Sequence, residues 1–147
     1  MLEVKLILDM EVLKNKNKGE GEMNTERFIL TIGVNEGYFH NNNCTQDILT
    51  IGEIANNISQ QYFNEHNIYV TFSIIDSRTF YSKQWGCPNN GEETIIITGV
   101  SNPSFVSLGE WKNAVIEFAK KMKKELKQST CTLEFVKCEL IYFNNND

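Results

Sequence analysis

The segment from Ile68 to Asp76 reads IYVTFSIID, and the segment from Thr94 to Val100 reads TIIITGV. Both are rich in the β-branched and aromatic residues that favour strands. Alternating side chains of the first segment divide between two faces, as they do in a half-buried strand. The two segments therefore predict a pair of strands joined by a long excursion, residues 77–93, and the rest of the fold is expected to form around this pair.

Three further strands and two helices flank this pair. Alternation predicts strands at residues 3–13, 27–35 and 131–143. Capping-box patterns at Thr50-Ile51-Gly52-Glu53 and Ser107-Leu108-Gly109-Glu110 predict two helix starts, each followed by apolar residues at helical spacing. From residue 27 onward, the predicted order is strand, helix, strand, strand, helix, strand.

This order resembles the split βαβ plan of ferredoxin-like domains, including small bacterial domains of unknown function with the same plan. The resemblance covers residues 26–143 and rests on element order, so it transfers no activity. It implies an α+β fold with a βαββαβ antiparallel sheet and two helices on one face, here with an extra N-terminal strand. We expect residues 1–22 to form that strand and a polar loop, and residues 23–147 to form a single domain.

The extra strand has no simple place in such a sheet, because the first strand of a ferredoxin-like fold is central and has both edges occupied. The strand must cross to a sheet edge, pair with another subunit or displace the last strand. We expect a homodimer or a higher homo-oligomer to result. Met23 is also a candidate translation start, which would make the first strand an extension.

Composition limits the partners and the location. A chain of 147 residues with 41% hydrophobic content suits one globular domain. Its net charge of −5 disfavours a nucleic-acid duplex as the main partner. The charged N-terminal residues do not form a signal peptide, and no apolar run is long enough to span a membrane. Four cysteines without a CxxC pair suit a reducing environment, so we predict a cytoplasmic protein.

Several common chemistries lack their motifs. His40 and Cys44 are four residues apart, but no second pair of metal-ligand spacing accompanies them, so we predict no metal site. Cys44 or Cys87 with His40 carries no local signature of a nucleophile and its base. The phosphate-binding motifs GxxxxGK[ST] and GxGxxG are absent. The sequence therefore predicts no cofactor.

Carboxylates near the predicted strand pair and near the first helix are Asp76, Glu92, Glu93, Glu36 and Asp47. A strand-end aspartate beside a glutamate is suited to acid–base work. Such residues are also common as solvated turn residues or as partners for Arg78 and Lys83. Both interpretations stay open at the level of sequence.

Aromatic rings and amides collect in the predicted loops. A tryptophan in a loop rich in Gly, Pro and Asn is costly to expose unless it packs on something. Rigid rings beside amides and an arginine suit recognition of a flat, polar ligand such as a nucleobase. The alternative is that the rings plug the open end of the sheet or form a subunit interface. The candidate ligand-binding residues are Tyr38, Phe39, Phe80 and Trp85 for stacking, Arg78, Asn89 and Asn90 for polar contacts, and Lys112 for a phosphate.

The lack of a catalytic set leads to the functional expectation. We predict a non-enzymatic, oligomeric binding module that holds a small, nucleotide-like ligand, with sequestration of a nucleotide signal by a phage or mobile element as one setting. The alternative is a small enzyme of hydrolase or transferase type that uses Asp76, Glu92 or His40 in the same cleft. A structural assembly protein is the third hypothesis.

Overall fold

A computed structural model describes residues 22–35 and 47–146 of the chain. Four strands, two helices and one short 3-10 turn follow one another along these residues. The strands are β1 (Glu22–Gly33), β2 (Ser73–Thr79), β3 (Glu92–Val100) and β4 (Cys131–Ile141); the helices are α1 (Ile48–His66) and α2 (Leu108–Glu125); the turn spans Lys83–Trp85.

The four strands form one sheet in the order β2-β3-β1-β4. All three pairings are antiparallel, and β1 pairs with β3 on one side and with β4 on the other. The first described strand is therefore central, as the ferredoxin-like plan requires, and the predicted fold is confirmed. The predicted strand at residues 3–13 lies outside the described residues, so its place beside this sheet stays a prediction.

Both helices pack on one face of the sheet. Alternate residues of β1 and β3 point towards them, and Phe28, Leu30 and Ile97 are completely buried there. The ring of Phe28 lies 6.2 Å from that of Phe118 on α2, measured between centroids, in an edge-to-face contact. One continuous apolar core thus joins the sheet to α1 and α2, and the opposite face of the sheet carries no described helix.

Several predicted boundaries are wrong. β1 begins at Glu22 rather than at residue 27, β2 ends at Thr79 rather than at Asp76, and β3 begins at Glu92 rather than at Thr94. β2 begins at Ser73 rather than Ile68, although Val70 is fully buried. α1 is capped by Asp47 rather than Thr50, because the Asp47 carboxylate accepts the backbone N–H of Thr50. The second cap is as predicted, since the Ser107 hydroxyl accepts the N–H of Glu110 at 3.3 Å.

The segment before β2 packs closely without joining the sheet. The Ser59 hydroxyl on α1 donates to the carbonyl oxygen of Val70 at 3.0 Å. The carbonyl oxygen of Thr71 passes so near Gly99 that a Cβ on that glycine would collide with it. Alternation in residues 68–72 therefore reflects burial against α1 and β3, and not a strand ladder.

Neither described helix combines the length and the apolar character needed to cross a lipid bilayer.

Candidate functional site

A cleft lies at one end of the sheet, on the helix-bearing face and beside the start of α1. Its volume is about 590 Å³, which is within the usual range for small-molecule sites. We call it the helix-side cleft. Its lining residues are Val34, Asp47, Ile48, Ile51, Asp76, Ser77, Arg78, Glu93, Thr94 and Ile95.

Strand periodicity places the charged groups of this cleft. Asp76 and Arg78 are two residues apart on β2, so their side chains share a face. Glu93 is directly opposite Arg78 in the β2–β3 register, and the Arg78 Nη2 atom lies 3.4 Å from Glu93 Oε1. Arg78 Nη1 also donates to the carbonyl oxygen of Asn90 at 3.1 Å. The guanidinium is therefore held between β3 and the turn that precedes it.

Asp47 lines the cleft and begins α1 at the same time. Its Oδ1 atom accepts the backbone N–H of Thr50 at 2.7 Å. That backbone hydrogen bond, helped by a second one from the Thr50 side chain, lowers the pKa of Asp47 below its usual value. Asp47 therefore stays ionised to a lower pH than an ordinary aspartate does.

The helix-side cleft combines an apolar floor with an acidic rim. Val34, Ile51 and Ile95 are buried beneath it, with at most 8% of each side chain exposed. The lining holds three carboxylates against one guanidinium, so its net charge is negative. This combination suits a cationic ligand with an apolar or aromatic body.

Asp76 is the carboxylate available to a ligand. Its side chain is exposed, and within residues 22–35 and 47–146 it makes no ion pair or side-chain hydrogen bond. Glu93 is engaged with Arg78, and Asp47 is engaged with Thr50. A ligand that enters the cleft thus meets one carboxylate that has no competing partner among the described residues.

A smaller pocket of about 220 Å³ lies at the same end of the sheet, on the face without helices. We call it the open-face pocket, and Glu92 lines it. Glu92 and Glu93 point to opposite faces because consecutive strand residues alternate. The expectation that Asp76 and Glu92 share one cleft is therefore wrong. His40, the third candidate acid–base residue, lies outside the described residues.

The predicted ligand-binding residues are only partly brought together. Arg78 and Asn90 meet through the hydrogen bond to the Asn90 carbonyl. The ring of Phe80 is 69% exposed and covers Gly91, where an added Cβ would lie 3.0 Å from the ring. Trp85 is 77% exposed in the 3-10 turn, and Asn89 is exposed in the turn that follows.

Lys112 lies away from these residues. Its Nζ atom is 2.8 Å from the Glu26 carboxylate and 5.1 Å from the centre of the Phe135 ring, so it joins α2 to the sheet. Tyr38 and Phe39 lie outside the described residues, and their part in a ligand site stays a prediction.

The apolar floor of the cleft was missed at the sequence level. Val34, Ile48 and Ile51 have the spacing of ordinary core residues, and nothing in their pattern separates a cleft floor from a core. Asp47 was the sequence signal that could have located the start of α1, because an aspartate directly before an apolar periodic segment is a strong N-cap. A helix start at Asp47 brings Ile48 to the rim of the cleft.

Within the described part of the chain, no three His, Cys, Asp or Glu side chains form a group that could hold a metal ion. The described cysteines, Cys87, Cys131 and Cys138, are free thiols. Burial raises the pKa of the Cys131 thiol, and the nearby Lys123 offsets part of this effect.

Comparison with known proteins identifies the family. A sequence profile of the SAM lyase family matches residues 23–144. The structure is similar to that of a phage SAM lyase in its apo state, with a TM-score of 0.58 and 16% identity over 78% of this chain and 81% of that chain. It is also similar to a phage SAM lyase in complex with S-methyl-5'-thioadenosine, with a TM-score of 0.53 and 14% identity over 80% of this chain and 90% of that chain. No curated protein sequence matches the chain.

These findings correct the functional expectation. A family of lyases is a family of enzymes, so the prediction of a non-enzymatic binding module is wrong, and the enzyme alternative is the better one. The missing nucleophile was a poor guide, because a lyase does not need a covalent enzyme intermediate. Because the family profile covers most of the sequence, from residue 23 to residue 144, the chain belongs to the SAM lyase family.

Proposed function

We propose that this chain is an enzyme that cleaves S-adenosylmethionine in the helix-side cleft and releases S-methyl-5'-thioadenosine. The observation that carries the proposal is the family match over residues 23–144. Two further observations support it. One similar structure is a phage SAM lyase in complex with S-methyl-5'-thioadenosine, and the cleft of this chain is large, acidic and floored by apolar residues.

Charge complementarity favours this substrate. S-adenosylmethionine carries a sulfonium, an ammonium and a carboxylate at neutral pH, so its net charge is positive. The lining of the helix-side cleft has a net negative charge, with three carboxylates and one guanidinium. An acidic cleft raises the local concentration of a cationic substrate and speeds its association.

The reaction balances without a metal or an added nucleophile. The bond between the sulfonium sulfur and the γ-carbon of the amino-acid portion breaks, and both electrons move to sulfur, which becomes a neutral thioether. This bond breaks in the same step as one of two reactions of the four-carbon fragment. The substrate carboxylate displaces sulfur at the γ-carbon and gives a lactone, or a base removes a β-proton and gives an unsaturated amino acid.

The apolar floor has a role in either route. Positive charge on sulfur disappears as the carbon–sulfur bond breaks, so a carboxylate beside the sulfur would stabilise the substrate more than the transition state. An apolar surface has the opposite effect, because it stabilises the neutral thioether relative to the sulfonium. We therefore place the sulfur over Ile51 and Ile95 and away from the acidic rim.

The acidic rim binds the polar ends of the substrate. Asp76 accepts hydrogen bonds from the ammonium or from the ribose hydroxyls, since its carboxylate has no other partner in the described chain. Arg78, already held by Glu93 and Asn90, is within reach of the substrate carboxylate. Neither Phe80 nor Trp85 lines the cleft, but both rings are exposed, and we assign them to stacking on the adenine.

The activity is tested by incubating the purified chain with S-adenosylmethionine and separating the products by liquid chromatography with mass detection. We expect S-methyl-5'-thioadenosine together with a lactone or an unsaturated four-carbon amino acid, and NMR of that fragment separates the two routes. Glu117→Gln, on the exposed face of α2, is the control variant. Recovery of intact substrate after long incubation, or release of S-adenosylhomocysteine instead, would contradict the proposal.

Both similar structures are of phage proteins. We place this chain in the same setting, as a phage or mobile-element enzyme that consumes S-adenosylmethionine in the cytoplasm of its host.

A further inference from the structure

The open-face pocket shares only Thr94 with the lining of the helix-side cleft and has its own chemistry. It lies where β1 ends and where the chain passes from α2 into β4. Its volume of about 220 Å³ is large enough for a small amino acid. Its lining is dominated by hydroxyl groups, and it also holds the Glu92 carboxylate, the Gln128 amide, the Lys127 ammonium and the Cys131 thiol.

The amide of Gln128 is fixed in orientation. Its Nε2 atom donates to the carbonyl oxygens of Asn35 at 2.7 Å and of Leu126 at 2.9 Å. Both amide hydrogens are thereby used, and the Oε1 atom must face the other way. That oxygen lies over Gly33, 2.5 Å from the position that a Cβ would occupy.

A carboxylate oxygen of Glu92 also lies close to this position above Gly33. Glu92 Oε1 lies 2.7 Å from the position of that absent Cβ, so the two acceptor oxygens converge above Gly33. Within the described residues, the half-buried Glu92 carboxylate has no ion pair and no hydrogen bond. A half-buried anion without a partner favours a cationic donor, and two converging acceptors match an ammonium group.

The remaining hydroxyls divide into two groups. Thr94 and Thr79 are committed, because the Thr94 hydroxyl lies 2.6 Å from that of Ser77 and 3.0 Å from that of Thr79. The other hydroxyls make no side-chain hydrogen bond within residues 22–35 and 47–146, and they remain available as donors to an anion. These residues are Thr31, Ser129, Thr130 and Thr132.

We propose that the open-face pocket binds the head group of a small α-amino acid. Its ammonium is held by the carboxylate of Glu92 and the Oε1 atom of Gln128, and its carboxylate is held by the hydroxyls at the start of β4. Gly33 is required because a side chain there would occupy the position of the ammonium.

L-homoserine is a suitable probe, because it is a small zwitterion that fits the volume. Binding is measured by calorimetry and by NMR shifts at Gly33 and Thr130, with no S-adenosylmethionine present, so the result is independent of any cleavage activity. N-acetyl-L-homoserine lacks the ammonium, and glycerol offers hydroxyls only. We expect the amino acid to bind and neither control compound to do so.

Two adjacent glutamates provide a matched pair of variants. Glu92→Gln removes the charge in the open-face pocket and should weaken binding of L-homoserine at least about tenfold. Glu93→Gln changes the helix-side cleft and should leave that binding unchanged. The proposal is overturned if no binding occurs, if N-acetyl-L-homoserine binds equally well, or if Glu92→Gln retains the affinity of the parent chain.

Discussion

At the scale of single residues, the proposed enzyme depends most on Asp76, the cleft carboxylate without a competing partner in the described chain. Asp76→Asn keeps the size of the side chain and removes its charge. We expect KM for S-adenosylmethionine to rise about tenfold, because a charge-assisted hydrogen bond is lost, and kcat to change less. Steady-state kinetics of S-methyl-5'-thioadenosine release measure both, with Glu117→Gln as the control. An unchanged KM would remove Asp76 from the site.

Asp47 makes the stability of the fold depend on pH. Its pKa is lowered in the folded chain from the usual 3.8, so its contribution is complete above that value and is lost as the pH falls through the lowered pKa. Asp47→Ala should therefore lower the Tm at neutral pH, and the difference from the parent chain should shrink in strong acid. Circular dichroism melts across the acid range measure this difference. Asp47→Asn keeps a side chain that can cap the helix but does not titrate. If the difference in Tm from the parent chain did not change with pH for either variant, the assignment would be contradicted.

Trp85 tests whether an exposed ring serves the substrate. The side chain is 77% exposed, so Trp85→Ala should leave the Tm nearly unchanged. We expect KM for S-adenosylmethionine to rise several-fold, because a base–aromatic contact is lost. If the variant unfolds instead, Trp85 has a structural role that its exposure does not reveal; if KM is unchanged, the ring does not contact the adenine.

At the scale of elements, the close approach of the segment before β2 to β3 is the most sensitive junction. Gly99→Ala places a Cβ against the carbonyl oxygen of Thr71 and should lower the free energy of unfolding by about 1–3 kcal/mol, the usual cost of overpacking. Urea denaturation measures this change. Gly109→Ala in the first turn of α2 has open space around its Cβ and should be neutral or slightly stabilising. Equal effects of the two variants would argue against the close approach.

At the scale of the whole molecule, the prediction of a homo-oligomer stays open to experiment. The strand predicted at residues 3–13 lies outside the described residues, and β1 already has a partner on each side. We expect the full chain to form a dimer or a higher oligomer through that strand. Size-exclusion chromatography with light scattering compares the full chain with one that starts at Met23. A monomer in both cases would exclude exchange of the strand between subunits.

Element order could be predicted from the sequence because hydrophobic periodicity reports it directly. Boundaries were harder, since burial of residues 68–72 against α1 imitates the alternation of a strand. The site was harder still. Pairing of Lys112 with Glu26 spans 86 positions in sequence, and the separation of Glu92 from Asp76 depends on which face each strand residue takes. The first is not visible without the packing of α2 on β1, and the second is not visible without the register of β2 against β3.

The opposite orientation of Glu92 and Glu93 also restricts how the turn before β3 can change. Insertion or deletion of one residue that shifted β3 by one position would exchange the two glutamates and turn Ile95 and Ile97 out of the core. A shift of two positions would preserve both faces. Lengths of this turn that differ by an odd number of residues should therefore be rare among functional variants, unless a bulge restores the parity.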